Sequence, residues 1–112
     1  MSATRIEPVN ILLVDDRPEN LAALISMLDQ PGYRLLTASS GSEALKLILK
    51  EVFAVILLDV LMPIMDGLEV ASLIKGRERS RHVPIIFLTA AGMELDRVLV
   101  DRLSNIDGVA QI

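Results

Sequence analysis

Oxygen-bearing side chains come directly after three short apolar runs of the sequence. Asp15 and Asp16 follow the first run, Asp59 follows the second, and Thr89 follows the third. Such residues also end strands and cap helices, but three acids in register with the ends of apolar runs favour a shared site. Carboxylates crowded together repel one another and raise at least one pKa unless a cation joins them. Because no His or Cys stands near them in the sequence, we expect a hard ion such as Mg²⁺.

Magnesium at such a site suits phosphoryl transfer. The ion neutralises oxygens of the transferring group and holds donor and acceptor in line. A carboxylate such as that of Asp59 can itself accept the group and form an acyl phosphate. The hydroxyl of Thr89 is then suited to donate a hydrogen bond to a phosphoryl oxygen. A metal-dependent phosphatase with an aspartyl nucleophile would need a second acid two residues later, and Leu61 occupies that position.

Four short runs rich in β-formers supply the strands that must position these side chains. Three of them are apolar without interruption, which indicates burial on both faces, as in a parallel sheet between two helical layers. The stretches between them have helical spacing, and right-handed crossovers then predict a doubly wound sheet. In a flavodoxin-like strand order the first and third strands are neighbours, so the three carboxylates converge on one pocket. The predicted strands cover residues 10–14, 34–38, 54–58 and 83–88.

Each of the three stretches between the predicted strands contains a helix start signal. Pro18 suits the first turn of one helix, and Ser40 is a candidate N-cap for a second, with Glu43 three residues on. A third helix opens at Asp66, and we expect it to end in the basic run 75–81, where positive charge suits the helix dipole. The predicted order is therefore β-α-β-α-β-α-β.

The end of the chain permits two interpretations. Residues 93–106 keep a helical spacing, and turn signals precede a short β-rich stretch at 109–112. Either a fourth helix leads into a short fifth strand, or one long helix runs nearly to the end. A fifth crossover helix is missing in both cases.

Composition limits the class of protein. With 112 residues, 52% of them hydrophobic, the chain suits one packed domain, which we place at residues 9–112 after an extension at 1–8. No apolar run approaches the roughly 20 residues that span a membrane, and no signal segment is visible, so we expect a cytoplasmic location. The absence of cysteine excludes disulfides and thiolate metal sites. A net charge of −4 and three aromatic residues argue against nucleic-acid binding.

These motifs together resemble the receiver domain of bacterial two-component response regulators. The resemblance rests on the Asp15-Asp16 pair, the run from Asp59 to Gly67, and Thr89-Ala90, and it extends from about residue 9 to residue 97. It implies a flavodoxin-like, or CheY-like, three-layer α/β/α fold. It also implies a phosphoacceptor signalling domain, not an enzyme with its own substrate turnover. The implied partners are a histidine kinase or phosphotransfer protein and an output domain beyond this chain.

The resemblance assigns a role to each site residue. Asp59 would be the phosphoacceptor. Asp15, Asp16, Asp59 and the backbone carbonyl of Leu61 would hold Mg²⁺. Thr89 would be the switch hydroxyl, and it would bind the phosphoryl group together with Ala90.

The sequence departs from the family pattern at its end. Receivers carry a Lys-Pro pair after strand five, whereas Gln111-Ile112 stands there in this chain, and no lysine follows Lys75. An amide can donate a hydrogen bond but supplies no positive charge. The alternative function is therefore a truncated or pseudo-receiver that acts as an interaction or dimerisation module. Without a fifth helix we expect strands one and three to be partly uncovered, and a homodimer to cover them.

Overall fold

The computed structural model describes residues 8–88 and the backbone of residues 109–111. Its strands form one parallel sheet with the order β2-β1-β3-β4-β5. Consecutive parallel strands need crossover connections, and helices supply them after β1, β2 and β3. The doubly wound, flavodoxin-like fold that the sequence predicts is thus confirmed. The elements are β1 (Val9–Val14), α1 (Pro18–Leu28), β2 (Tyr33–Ala38), α2 (Gly41–Lys50), β3 (Val55–Asp59), α3 (Gly67–Lys75), β4 (Ile85–Leu88) and β5 (Val109–Gln111).

The bounds of the first three strands lie within one residue of their predictions, whereas two other predicted boundaries are wrong by more. β4 begins at Ile85, because the preceding Pro84 has no N–H to donate to a neighbouring strand. α3 ends at Lys75 with Gly76 as its C-cap, and residues 76–83 form turns. The basic run beyond Lys75 is therefore a loop and not the last turn of a helix.

Local capping explains where α2 and α3 begin. The Ser40 side chain accepts a hydrogen bond from the backbone N–H of Glu43 at 3.2 Å, as predicted. In a capping box the Glu43 carboxylate would accept from the backbone N–H of Ser40. Here it accepts from the hydroxyl of Ser39, one residue earlier, at 2.9 Å. Asp66 caps α3 in the same manner by accepting from the backbone N–H of Glu69 at 2.9 Å. Each contact satisfies a backbone donor that the helix leaves unpaired.

The main core lies between the sheet and the layer formed by α2 and α3. Alternate residues of the strands point into it because side chains of a strand alternate between the two faces of a sheet. They are packed against the apolar stripes of both helices. The central members are fully buried: Leu12, Val14, Ile56, Leu58, Leu68, Val70, Ile74, Ile85 and Phe87.

The opposite face of the sheet is covered less well. Ile11 and Leu13 of β1 are buried there, so the predicted exposure of strand one is wrong. Val55 and Leu57 of β3 are only half-buried, as expected for strand three. All eleven residues of α1 are described, and none of them is buried.

β5 settles the two interpretations of the chain end in favour of a short fifth strand, which pairs with β4. The predicted fourth helix at residues 93–106 lies outside the described residues. Among the helices that the structure describes, none is long and apolar enough to cross a membrane.

Candidate functional site at the carboxyl edge of the sheet

Three carboxylates meet at the carboxyl ends of β1 and β3. These strands are neighbours, with Val14 opposite Leu58. Asp15 and Asp59 come next in the sequence after these two residues, so they lie side by side. Ligand oxygens of Asp15, Asp16 and Asp59 all lie within 4.8 Å of one another. The structure therefore brings together the three acids that the sequence places at the ends of its apolar runs. Asp59 is itself the last residue of β3 and does not follow the strand.

Asp15 is the buried member of this acidic pocket, with 4% of its surface exposed. Its two carboxylate oxygens accept from the backbone N–H of Arg17 at 2.9 Å and from the side-chain amide of Asn20 at 3.0 Å. Hydrogen bonds to the charged form compensate for the loss of water around it. Sequence reasoning missed Arg17 and Asn20 as supports of the site. An Asx turn at Asp15 is the local signal that points to Arg17, whereas the contact with Asn20 depends on how α1 packs.

The pKa of Asp59 is raised from its ordinary value of 3.8 to about 6. Burial is the largest cause, and the negative charge of Asp15 is the next. The backbone N–H of Leu61, which donates to the Asp59 carboxylate at 3.3 Å, lowers the pKa in part. Asp16 raises it further, and Arg17 lowers it. The pocket is thus electrostatically short of positive charge in its ion-free form.

The connection from β3 to α3 folds tightly back on the end of the strand. The backbone N–H of Gly67 donates to the carbonyl of Val60 at 2.9 Å. A Cβ at Gly67 would overlap the backbone carbonyl oxygen of Asp59 and lie 2.9 Å from its carbonyl carbon. Only glycine fits this close approach, so Gly67 determines how α3 begins beside the acceptor strand.

Two apolar side chains project from this connection beside the pocket. Leu61 is 57% exposed. Ile64 is fully exposed and has a φ of 69°, a backbone conformation that is rare for a β-branched residue. Sequence reasoning gave Ile64 no role, because periodicity says nothing about the sign of a backbone angle.

The remaining predicted site residues lie at the margin of the described chain. β4 ends at Leu88, which is in register with Asp59. Thr89 and Ala90 lie outside the described residues, so their predicted contacts with a phosphoryl group stay predictions. Gln111 is the last residue of β5, opposite Phe87.

The donor set fits a magnesium ion. Three carboxylates can each offer one oxygen within the 4.8 Å spread that the structure shows. Mg²⁺ binds through a few carboxylates and keeps several waters, which half-buried Asp16 and Asp59 leave room for. A cation would also remove the repulsion that raises the pKa of Asp59.

A doubly wound parallel sheet with carboxylates at its switch point defines a class of α/β proteins that bind ligands at the carboxyl ends of their strands. The family model for the response regulator receiver domain matches residues 11–108. The chain therefore belongs to the response regulator receiver family, which acts in phosphorelay signalling. This membership confirms the resemblance found in the sequence. It does not favour the alternative of a docking module that lacks phosphorylation chemistry.

Similar proteins carry this domain within longer chains. A probable cyclic di-GMP phosphodiesterase of Vibrio cholerae is 38% identical over 109 residues, an alignment that covers 97% of this chain and 24% of that protein. The transcriptional regulatory protein CpxR of Klebsiella pneumoniae is 43% identical over 89 residues, which cover 80% of this chain and 37% of the relative. The chain thus spans well under half of the length of these curated relatives.

Solved structures agree with this assignment. The chemotaxis protein CheY4 of Vibrio cholerae has a TM-score of 0.82 and 28% identity, with coverage of 94% of this chain and 85% of that one. The N-terminal domain of a response regulator receiver protein from Methanoculleus marisnigri has a TM-score of 0.78 and 33% identity, with coverage of 92% and 81%.

Proposed function

We propose that this receiver domain accepts a phosphoryl group on Asp59 in the presence of Mg²⁺. The observation that carries the proposal is the convergence of Asp15, Asp16 and Asp59, whose ligand oxygens lie within 4.8 Å of one another. Asp59 stands at the end of β3 and is half-buried, so a donor can reach its carboxylate. The donor is a phosphohistidine of a histidine kinase or phosphotransfer protein, and the receiver passes the signal on to an output domain.

The transfer itself is a displacement at phosphorus. An oxygen of the Asp59 carboxylate attacks the phosphorus, a new P–O bond forms, the P–N bond of the phosphohistidine breaks, and the imidazole leaves with the electron pair. When bound, Mg²⁺ neutralises oxygens of the transferring group. Asp59 must be ionised to attack, and a pKa of about 6 leaves most of it ionised above neutral pH even without the ion.

The other residues of the pocket hold and orient. Asp15 and Asp16 would hold the ion, and the backbone carbonyl of Leu61 would complete the protein ligands. The hydrogen bonds from Arg17 and Asn20 keep the Asp15 carboxylate in one orientation. Thr89 and Ala90 bind the phosphoryl oxygens after the transfer, in the roles that family membership suggests.

Mass spectrometry of the intact chain after incubation with acetyl phosphate tests the acceptor. We expect a phosphoryl mass increment that requires Mg²⁺ and disappears in Asp59→Asn. Asp29→Asn is a matched control, because Asp29 is exposed at the end of α1 and lies outside the pocket. Labelling of Asp59→Asn to the wild-type extent would show that another residue accepts the group.

Calorimetric titration with Mg²⁺ tests the ion-binding role of Asp16. The variant Asp16→Ala should bind Mg²⁺ at least about tenfold more weakly, since loss even of a group that only supports a metal ligand costs roughly 10- to 100-fold. Asp29→Ala removes the same charge from the exposed end of α1 and should bind as the wild type does. Equal affinity of wild type and Asp16→Ala would remove Asp16 from the ligand set.

A further inference from the structure

A small apolar cavity lies at the opposite edge of the sheet from the acidic pocket. It has a volume of about 100 Å³ and is bounded by the C-terminal part of α2 and by the residues that precede β3 and β4. Its apolar lining includes Ile48, Phe53, Ile56 and Val83, all of them buried. Val52 stands at its rim with 72% of its surface exposed. The cavity is therefore an apolar depression that continues onto an exposed apolar side chain.

The surroundings of this cavity are positively charged. Arg79 and His82 line it, and Arg77 and Arg81 are exposed in the same loop, residues 76–83, whose sequence holds a single acid. Glu51 also lines the cavity, but its carboxylate lies 3.3 Å from a guanidinium nitrogen of Arg34, which compensates its charge. The arginines thus make this part of the surface positive in a chain whose net charge is −4.

The loop that carries the arginines is held in place from within. The hydroxyl of Ser80, a buried residue, donates to the carbonyl of Ile74 at 2.7 Å. The ammonium group of Lys75 donates to the carbonyls of Arg81 and Val83. These contacts form the cavity before any partner arrives, which reduces the entropy that binding must offset.

Size and charge together select the kind of partner. Pockets for drug-sized molecules measure roughly 300–1,000 Å³, and a cavity of roughly 150 Å³ is enough for benzene. The smaller cavity of about 100 Å³ suits one aliphatic side chain. We propose that this surface binds an acidic peptide segment of a partner protein, with one aliphatic side chain in the cavity and flanking carboxylates against Arg79 and its neighbours. Nucleic acids carry no aliphatic side chain, and the proposal does not depend on phosphorylation of Asp59.

Amide chemical shifts of the ¹⁵N-labelled chain test the proposal. The probe is a short synthetic peptide with a central leucine flanked by glutamates, and its counterparts have a central serine or flanking lysines. We expect the leucine–glutamate peptide to shift the amides of Val52, Phe53 and Val83, and both counterparts to bind several-fold more weakly.

Two arginine variants distinguish a specific binding site from nonspecific electrostatic attraction of the peptide. Arg79→Ser should weaken binding of the leucine–glutamate peptide about fivefold, the upper range for one exposed ion pair. Arg77→Ser removes the same charge from the same loop at a residue that does not line the cavity, and it should change affinity by less than about twofold. The dispersion of each variant's amide spectrum checks that both remain folded.

Several results would overturn the proposal. Absence of shifts at millimolar peptide would show that the cavity binds no such segment. Equal binding of the serine peptide would eliminate the aliphatic anchor, and equal losses in Arg79→Ser and Arg77→Ser would leave only diffuse electrostatics. Shifts of the same amides with protein concentration alone would identify a second copy as the occupant. Stronger shifts with duplex DNA or anionic vesicles would assign the surface to those partners.

Discussion

At the scale of single residues, the acidic pocket is a balance between repulsion and hydrogen bonding. The buried Asp15 carboxylate has hydrogen bonds to both oxygens, so its charge is well supported. Asp59 receives one backbone N–H at 3.3 Å, and burial and Asp15 raise its pKa to about 6. Of these two carboxylates, the one proposed to react therefore has fewer hydrogen bonds to its charged form.

This balance predicts that Asp59→Asn stabilises the ion-free fold above neutral pH. The folded pKa of about 6 exceeds the ordinary value of 3.8. The contribution of Asp59 to the free energy of unfolding is therefore fully present below pH 3.8 and is lost as the pH rises through 6. Discounted for solvent around a partly exposed group, we expect the variant to be more stable by about 1 kcal/mol near pH 7.5. Urea unfolding in a chelating buffer measures the difference.

The same experiment near pH 4 is its internal control, because Asp59 is largely protonated there in the folded chain and the difference should shrink towards zero. Saturating Mg²⁺ should reverse the order near pH 7.5, since the ion stabilises the folded wild type. A variant that is less stable than wild type without the ion would contradict the assigned electrostatics.

At the scale of elements, the connection between β3 and α3 determines where the acceptor carboxylate stands. The N–H of Gly67 closes this connection on the carbonyl of Val60 at 2.9 Å, and Asp66 caps the helix that follows. Helix α3 then buries Leu68, Val70 and Ile74 in the main core. Capping, close approach and burial in the core all act on the same few residues, so the position of Asp59 depends on this short segment.

We predict that Gly67→Ala is strongly destabilising. The added methyl group would collide with backbone atoms of Asp59 and Val60, which cannot rotate away as a side chain could. We expect a loss of about 2–3 kcal/mol, typical of overpacking a rigid site, together with weaker Mg²⁺ binding. Thermal unfolding and the Mg²⁺ titration measure both effects.

Gly76→Ala is the matched control for that variant. Gly76 has a φ of −77° in the right-handed region, and a Cβ there would lie 3.2 Å from the carbonyl oxygen of Ser72. Its effect should stay within about 1 kcal/mol. If both variants were equally stable, the close approach at Gly67 would not limit the fold.

At the scale of the whole molecule, the two faces of the sheet are unequally covered. The side of α2 and α3 holds the fully buried core, whereas Val55, Leu57 and Ile86 are half-buried on the side of α1. α1 has no buried residue, and its Ile25 is 38% exposed. Exposed apolar side chains that form a patch mark surfaces that meet another chain or segment, and on this side Ile25 and Met27 of α1 are exposed.

We predict that the 112-residue chain self-associates through the α1 side. Light scattering over micromolar concentrations should give a mass that rises above the monomer value of 12.3 kDa. Ile25→Glu should return the chain to a monomer, because a buried unpaired charge is costly at an interface. Leu49→Glu is the control, since Leu49 is 53% exposed on α2, across the sheet from α1. A concentration-independent wild-type mass of 12.3 kDa would refute the association.

The fold class and the members of the acidic pocket could be predicted from the sequence because they depend on local patterns. Uninterrupted apolar runs indicated strands buried on both faces, and Ser40 and Asp66 marked helix starts that the structure confirms. Acids at the ends of those runs had to meet once strands one and three were neighbours. Prediction failed at residues 76–83, where arginines suited a helix end but buried Ser80 holds turns together.

What only the tertiary structure decided is how much each residue is covered and what lies against it. The raised pKa of Asp59 and the cavity beside Arg79 arise from segments far apart in the chain, and the close approach at Gly67 depends on how the connection folds back on Asp59. The positive φ of Ile64 likewise belongs to the folded connection, which the hydrogen bond from the Gly67 N–H to the Val60 carbonyl closes. Local periodicity reports which face of an element is apolar. Burial and electrostatic energy are sums over neighbours in space, and the folded chain alone specifies those neighbours.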